Sequence, residues 1–513
     1  MKPSPFRVAG LVATAVLVVL VTQSWARSNS VYQQLDLLVD VRHEIVQNYV
    51  EDPDAEALTE AAVRGMIESL DDPYTTYLTP EDVLDLQKHV SGTFSGIGAE
   101  ITTQPGRLTI VTPLEDSPAW DAGVMAGDTV LEIDGTSTED ISVQDAVKLL
   151  TGEAGTDVTI KVRHETGEEE EITITRGVIE VQTVRGFRRD ADQAFDFMLD
   201  DDNAIGYVRL TSFSEKTVED LEEVLVELEA QGMRGLIIDV RFDPGGLLTA
   251  AVAISDMFLN DGERIVSIKG RREGSERAFD ATSDTLVDPG IEVVILANEA
   301  SASASEILAG ALSENDRALM VGTRTFGKGS VQNVRMLDAS PGAIKLTNAY
   351  YYLPSGRNIH RRPDKDTWGV DPSAGSYVPM TPDQISEMID VRRAGDSVRE
   401  RKDASEPVTP EWLAEDLKDP QLSAALTAVL GKLDTGDWPT VGEDGADALA
   451  KAGQLEGLER RREALMDALA SLDDRIDKLK AGEELDDEEL SFDASGGEVE
   501  FEDVEPEPAG VGE

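Results

Sequence analysis

The chain has 513 residues, 40% of them hydrophobic, and carries 101 Asp and Glu against 46 Lys and Arg, a formal net charge of −55. That length predicts about three domains at roughly 150 residues each, and the acidic excess argues against nucleic acid or an anionic membrane surface as a partner, because both would be repelled. With no cysteine a cysteine nucleophile is excluded, and His43, His89, His164 and His360 stand outside any Gly-x-Ser-x-Gly elbow or His-Glu-x-x-His helix.

In chain order, Lys2 and Arg7 precede the apolar run Val8 to Val21 and the small-residue site Ser24-Trp25-Ala26, the pattern of an export signal. The run is shorter than the about 20 residues of a membrane span, which favours cleavage, although extension to Trp25 would leave an anchor. The body of the protein is therefore expected outside the cytoplasm, periplasmic or membrane-anchored. Residues 31–90 read as helical, with Leu35, Leu38 and Val41 at helical spacing and a break at Asp71-Asp72-Pro73-Tyr74. From 91 to 176 short β-like runs separated by glycine turns surround one helix, Val143 to Leu150. From Ala204 strands (205–210, 235–240, 291–297, 318–321) alternate with helices (218–230, 247–259 and one near 303–312), the signature of an α/β core. Leu455 to Leu479 carries a heptad-like stripe that fits either self-association or adaptor binding through a coiled coil, or a helix packed on its own protein. After Lys480 come 14 acidic residues and no basic ones, which predicts a disordered tail.

Two stretches carry chemistry. Ser301-Ala302-Ser303-Ala304-Ser305-Glu306 opens a predicted helix, and Lys328 follows in Thr325-Phe326-Gly327-Lys328-Gly329-Ser330. A serine hydroxyl needs a neighbouring base, and lysine can act as one once burial lowers its pKa; Leu319 to Gly322 and Phe326-Gly327 are the apolar surroundings within reach in sequence. The spacing alone leaves Ser301, Ser303 and Ser305 as equal candidates. Ser303 with Glu306 also fits a capping box, and taken alone the cap is the stronger of the two readings. Gly322 to Lys328 imitates a phosphate-binding P-loop, but Gly329 replaces the Ser or Thr that would hold magnesium, and Val331-Gln332-Asn333-Val334 reads as a strand instead of a helix.

Ser95-Gly96-Ile97-Gly98-Ala99-Glu100, with Ser117-Pro118-Ala119, Ala122-Gly123-Val124 and Gly127-Asp128 to Asp134-Gly135 downstream, resembles a PDZ domain. The resemblance implies that the backbone N–H groups of Gly96, Ile97, Gly98 and Ala99 receive the terminal carboxylate of an extended peptide. Arg241-Phe242-Asp243-Pro244-Gly245-Gly246, Ser301 to Gly310, Thr325 to Gln332 and Tyr351 to Arg357, together with Leu70 to Leu78, resemble the carboxyl-terminal processing, or tail-specific, proteases over about residues 31–435. By position the family implies Ser303 as nucleophile, Lys328 as general base, Gln332 as the group orienting the lysine, and the N–H groups of Gly246 and Ala304 as the oxyanion hole. It implies no cofactor and no metal. One departure is Asp243, where asparagine is common.

The expected architecture is α+β and multidomain: a signal or anchor (1–26), an N-terminal helical segment (27–90), a PDZ β-domain (91–178), an α/β crotonase/Clp-like protease core (179–435), a helical extension (436–480) and an acidic tail (481–513). The expected function is endoproteolysis of proteins recognised by a free C-terminus. A non-catalytic PDZ scaffold is the rival of another class, and an amidase or esterase using the same dyad is the third reading.

Overall fold

The computed structural model describes residues 35–443 except 105–106, 115–116, 165, 190–193, 273, 284, 339–341, 363–366 and 397–407, and beyond them residues 458, 462, 466, 472 and 480. The chain divides into two compact units, Met1–Gly445 and Ala446–Glu513. The expected export signal and acidic tail lie outside the described residues. So does most of the heptad stretch, of which Leu458 and Leu472 are helical and exposed. No described helix is long and apolar enough to cross a membrane.

The first unit begins with helix α1 over residues 35–48 and α2 (Ala55–Glu68), which Asp54 caps by accepting the N–H groups of Glu56 and Ala57. The break at Asp71 to Tyr74 leads into a three-residue strand, β1 (Thr76–Leu78), before α3 (Pro80–Ser91). Helical periodicity misses β1 because a three-residue strand leaves no pattern to read. A reciprocal Thr79–Asp82 box opens α3, and Gly92 closes it with φ 70°.

β2 (Thr93–Gly96) then enters a β-domain with strands β3 (Ala99–Gln104), β4 (Arg107–Pro113), β5 (Thr129–Ile133), β6 (Asp157–Arg163) and β7 (Glu169–Thr175), hydrogen-bonded in the order β3-β4-β5-β6-β7. Along β6 every second residue, Val158, Ile160 and Val162, is buried, and these meet Leu108, Ile110 and Ile174 in one core with Leu150 of helix α4 (Val143–Leu150). β8 (Gly177–Glu180) returns to pair with β2.

The core proper is a parallel sheet in the order β9 (Ile205–Leu210), β10 (Gly235–Asp239), β13 (Glu292–Ala297), β14 (Ala318–Gly322). Both faces are covered, so these strands read as continuous apolar runs. Val208, Leu236, Ile238, Val293, Ile295 and Met320 face helices α5 (Glu215–Ala230), α6 (Leu248–Asp256) and α7 (Ala304–Glu314). Tyr207, Ile237, Val294, Leu296, Leu319 and Val321 face α10 (Pro420–Thr435), which follows α8 (Pro382–Asp396) and α9 (Pro410–Glu415).

A second, antiparallel sheet leans against this core. Its long strand β16 (Ala343–Tyr352) pairs with β15 (Ser330–Met336) along one edge, and with β1 and β11 (Arg264–Gly270) in succession along the other; β12 (Arg277–Asp280) extends β11. β15 starts two residues after Lys328, the strand that the P-loop alternative forbids.

Candidate active site

The C-terminal ends of β10 and β13 bring two loops together. After β10 the chain runs through Arg241, whose buried guanidinium bonds Asp239 and Asp419, the cap of α10. Burial would raise the Asp239 carboxyl, but Arg241 holds it down to about 2, so the pair is ionic and fully hydrogen-bonded. This ion pair anchors the loop Phe242-Asp243-Pro244-Gly245-Gly246 from beneath. A Cβ on Gly245 would lie 2.5 Å from the Ala302 carbonyl oxygen and 2.8 Å from the Ala304 nitrogen, and one on Gly246 would lie 2.1 Å from the Phe213 carbonyl oxygen. Gly245 is thus what lets this loop touch the Ser303 segment, and Gly246 what lets it touch the backbone of Phe213.

The three candidate serines separate by environment. Ser301 is buried and donates to the Val240 carbonyl at 2.8 Å, while Ser305 is buried and donates to the Asp243 carbonyl at 3.0 Å. Ser303 is partly exposed and lines a cavity of about 520 Å³. Its backbone sits at φ 58°, ψ −111°, far from the extended conformation of an ordinary N-cap, and such strain is held only where the surroundings enforce it.

Glu306 supplies that enforcement. One carboxylate oxygen accepts the Ser303 and Lys328 N–H groups, both at 2.8 Å; the other accepts the Thr325 hydroxyl at 2.6 Å and the Gly327 N–H at 2.7 Å. The side chain is fully buried, and burial pushes its pKa up against those donors. The sequence pattern marked Glu306 as half of a capping box; the structure shows it binding the serine loop to the lysine loop. A buried carboxylate that satisfies two separate loops leaves no sequence signal beyond that box.

Lys328 lines the same cavity as Ser303, with Gly246, Ala304, Gln332, Lys345 and Tyr351. Burial lowers its pKa, Lys345 on β16 lowers it further, and Glu306 opposes both. The apolar walls are not those expected from Leu319 to Gly322 and Phe326. Leu319 and Val321 point to the α10 face of the sheet and Phe326 is 39% exposed. The cavity is walled instead by Leu86 and Val90 of α3, Phe213, Ile307 and Val331, brought from four distant segments. The Gln332 amide donates to the hydroxyls of Ser330 (2.9 Å) and Thr347 (3.1 Å), which leaves its carbonyl oxygen as the acceptor on offer. Among the described residues neither the Gly246 nor the Ala304 N–H makes a hydrogen bond, and Ala304 is the first residue of α7, where such orphans arise. No group of three or more His, Asp and Glu residues that could hold a metal ion occurs among the described residues.

A second cavity, of about 710 Å³, lies between the β-domain and α3. Ile97, Gly98 and Ala99 line it opposite Val147 and Leu150 of α4. Gly96 does not; it backs on Leu150 and Thr151. Gly98 has φ +75°, and a Cβ there would lie 2.4 Å from the Ser117 Cβ. The far wall is α3, through Leu84, Asp85 and Lys88, so one helix lines both cavities by opposite faces.

Three family models match the chain: "Peptidase family S41" over residues 204–374, "PDZ domain" over 109–164, and "Activating protease CtpB N-terminal domain" over 17–82. Fold and matches together define a serine-type peptidase core preceded by a PDZ domain. The carboxy-terminal-processing protease of Bartonella bacilliformis is 38% identical over 361 residues, 69% of this chain and 79% of that one. The carboxy-terminal processing protease CtpA of Bacillus subtilis is 33% identical over 346 residues, 67% and 70% of the two chains. Among solved structures, the photosystem II D1 C-terminal processing protease aligns with 30% identity over 66% of this chain and 86% of its own, with a TM-score of 0.38. The chain belongs to the carboxy-terminal processing protease family.

Proposed function

We propose that the protein is an exported endopeptidase that binds the free C-terminus of a protein in the cavity at Ile97, Gly98 and Ala99 and cleaves its chain with a Ser303–Lys328 dyad. The observation that carries this reading is the sorting of the three serines: two hydroxyls are spent on buried carbonyls, and the third opens into a cavity shared with a half-buried lysine of lowered pKa.

In this reading the Ser303 oxygen attacks the scissile carbonyl as its proton passes to the neutral Lys328 amine. The N–H groups of Gly246 and Ala304 receive the oxyanion, each typically contributing on the order of 10² to 10³ in rate. Lys328 then protonates the leaving amine, and water enters by the same route to release the acyl group. The Gln332 carbonyl oxygen orients the lysine between these transfers. The parallel sheet with α7 rising from Ser303 supports a crotonase/Clp-like core. Because α3 separates the two cavities, a tail bound in one is placed to gate the other.

The test is cleavage of an unfolded protein with an apolar free C-terminus by wild type, Ser303→Ala and Lys328→Ala, with a C-terminally amidated substrate alongside. Both variants are expected to be inactive and the amidated substrate to be cut more slowly. Tail binding without cleavage by wild type would instead favour a scaffold. Turnover of a small ester with no cleavage of tailed proteins would favour an amidase or esterase.

A further inference from the structure

Lys328 Nζ lies 5.1 Å from the centroid of the Tyr74 ring, inside the about 6 Å at which an aromatic face attracts an ammonium group. Tyr74 comes from the break between α2 and β1, far away in sequence, and four contacts fix it there. The Asp72 carboxylate accepts the Tyr74 N–H at 3.1 Å and the Thr75 hydroxyl at 2.6 Å. The Thr75 hydroxyl accepts the Thr347 N–H of β16 at 3.0 Å. The following residues pair with β16 as β1, Thr76 opposite Lys345. The ring also meets His360 edge-on at 6.2 Å, and His360 leans on Tyr350 at 5.0 Å.

We propose that Tyr74 is a positioning residue for acyl transfer, its ring face holding Lys328 Nζ and receiving the positive charge that develops there. This rests on Lys328 being the base. As the bond from Ser303 Oγ to the carbonyl carbon forms, the Oγ proton moves to Nζ, the carbonyl π pair moves to oxygen, and ammonium and oxyanion appear together. When the carbon–nitrogen bond breaks, the proton leaves Nζ for the departing amine. An aromatic face and the two backbone N–H groups then stabilise opposite ends of one charge separation.

The charged and titratable groups around Nζ make the ring's contribution distinct. Glu306 of α7 favours the ammonium, Lys345 of β16 and burial favour the neutral amine, and Tyr351 lines the same cavity. Around Tyr74 itself stand Asp72, Arg361 and His360, the last facing Arg362. The ring attracts the cation without a formal charge, so it supports the ammonium when formed and holds the resting lysine in its protonated state less than a second carboxylate would.

The test measures kcat and KM against pH for the full chain and for Tyr74→Phe, Tyr74→Leu and Tyr74→Trp, with Lys328→Ala as control. Tyr74→Phe is expected within about two-fold of wild type. Tyr74→Leu is expected to lose about 3- to 30-fold in kcat with KM little changed. Its acid limb moves to lower pH by roughly half a unit or more, because support for the ammonium is gone. Tyr74→Trp, the stronger cation binder, moves that limb to higher pH and decides the matter if the leucine variant folds poorly. Limbs that stay in place in both Leu and Trp variants overturn the proposal, as does a phenylalanine variant as slow as leucine. Full activity in Lys328→Ala is a different failure, that of the base assignment.

Discussion

Asp243 stands where the family commonly has asparagine, and replacing it with asparagine is expected to make the protein more stable at neutral pH. The carboxyl is wholly buried under the Gly245–Gly246 loop; one oxygen accepts the Gly245 N–H at 2.7 Å and the other has no partner. Burial raises its pKa from 3.8 to about 8, against the Gly245 hydrogen bond. The folded chain therefore keeps a proton that the unfolded chain has released above pH 4. Native stability falls as pH rises from about 4 to about 8 and levels off beyond. Roughly three pH units separate the ordinary carboxylate value from pH 7, and at about 1.4 kcal/mol per unit the cost there is about 4 kcal/mol. Asparagine keeps the bond to Gly245 and removes the titration, but leaves an amide N–H₂ without a partner at about 1–3 kcal/mol. Asp243→Asn should therefore be about 1–3 kcal/mol more stable than wild type at pH 7, an advantage that shrinks as pH falls toward 4, where the unfolded carboxyl takes up its proton as well. Urea unfolding of both proteins from pH 4 to pH 8.5 reads this directly, and cleavage at pH 9 should persist better in the variant. A stability difference that does not change with pH would refute the reasoning.

Glu306→Gln turns an amide N–H₂ toward donors whichever way it lies, either Ser303 and Lys328 or Thr325 and Gly327; a loss of about 2–4 kcal/mol by chemical unfolding, with cleavage abolished, is expected. Gly98→Ala puts a Cβ against Ser117 at a backbone φ of +75°, so tail affinity, read by fluorescence anisotropy of a labelled peptide, should fall at least ten-fold while small-ester hydrolysis at Ser303 survives. His164 bonds Asp128 at 2.7 Å and Glu170 at 3.2 Å, and its hydrogen bond to Asp128 raises its pKa despite burial. A raised histidine stabilises fully below its unfolded value of 6.5 and loses that contribution as pH climbs through the folded value. The deficit of His164→Gln, followed by thermal unfolding, should accordingly be larger at pH 5.5 than at pH 8.5.

The strands and helices of the core were legible because each face of the parallel sheet is buried, which gives β9, β10, β13 and β14 unbroken apolar runs between amphipathic helices. The serine and lysine were legible as residues, but the choice of Ser303 over its neighbours came from family spacing, since all three share one chemistry and differ only in what each hydroxyl meets after folding. Glu306 showed itself only as a helix cap. Tyr74, Leu86 and Val90 gave no functional signal, because their contribution depends on β1 pairing with β16 and on α3 lying across the core, contacts that no local period encodes. The source of the lowered Lys328 pKa was misread for the same reason: neighbours in sequence turned to another face, and distant residues took their place.

The strand pairing that delivers Tyr74 also bears on the order in which the site can be assembled. The Thr347 N–H reaches Thr75 across 272 residues, and Arg241, which anchors the glycine loop, reaches Asp419 across 178. Contacts of such separation form late, after the entropy of closing very long loops has been met. A ribosome releasing this chain from its N-terminus emits the serine and the lysine well before it emits the cap of α10. Until α10 docks, Arg241 keeps Asp239 but lacks Asp419, so the glycine loop is only partly anchored, and the proposed Ser303–Lys328 site is expected to gain its geometry only when that helix is in place.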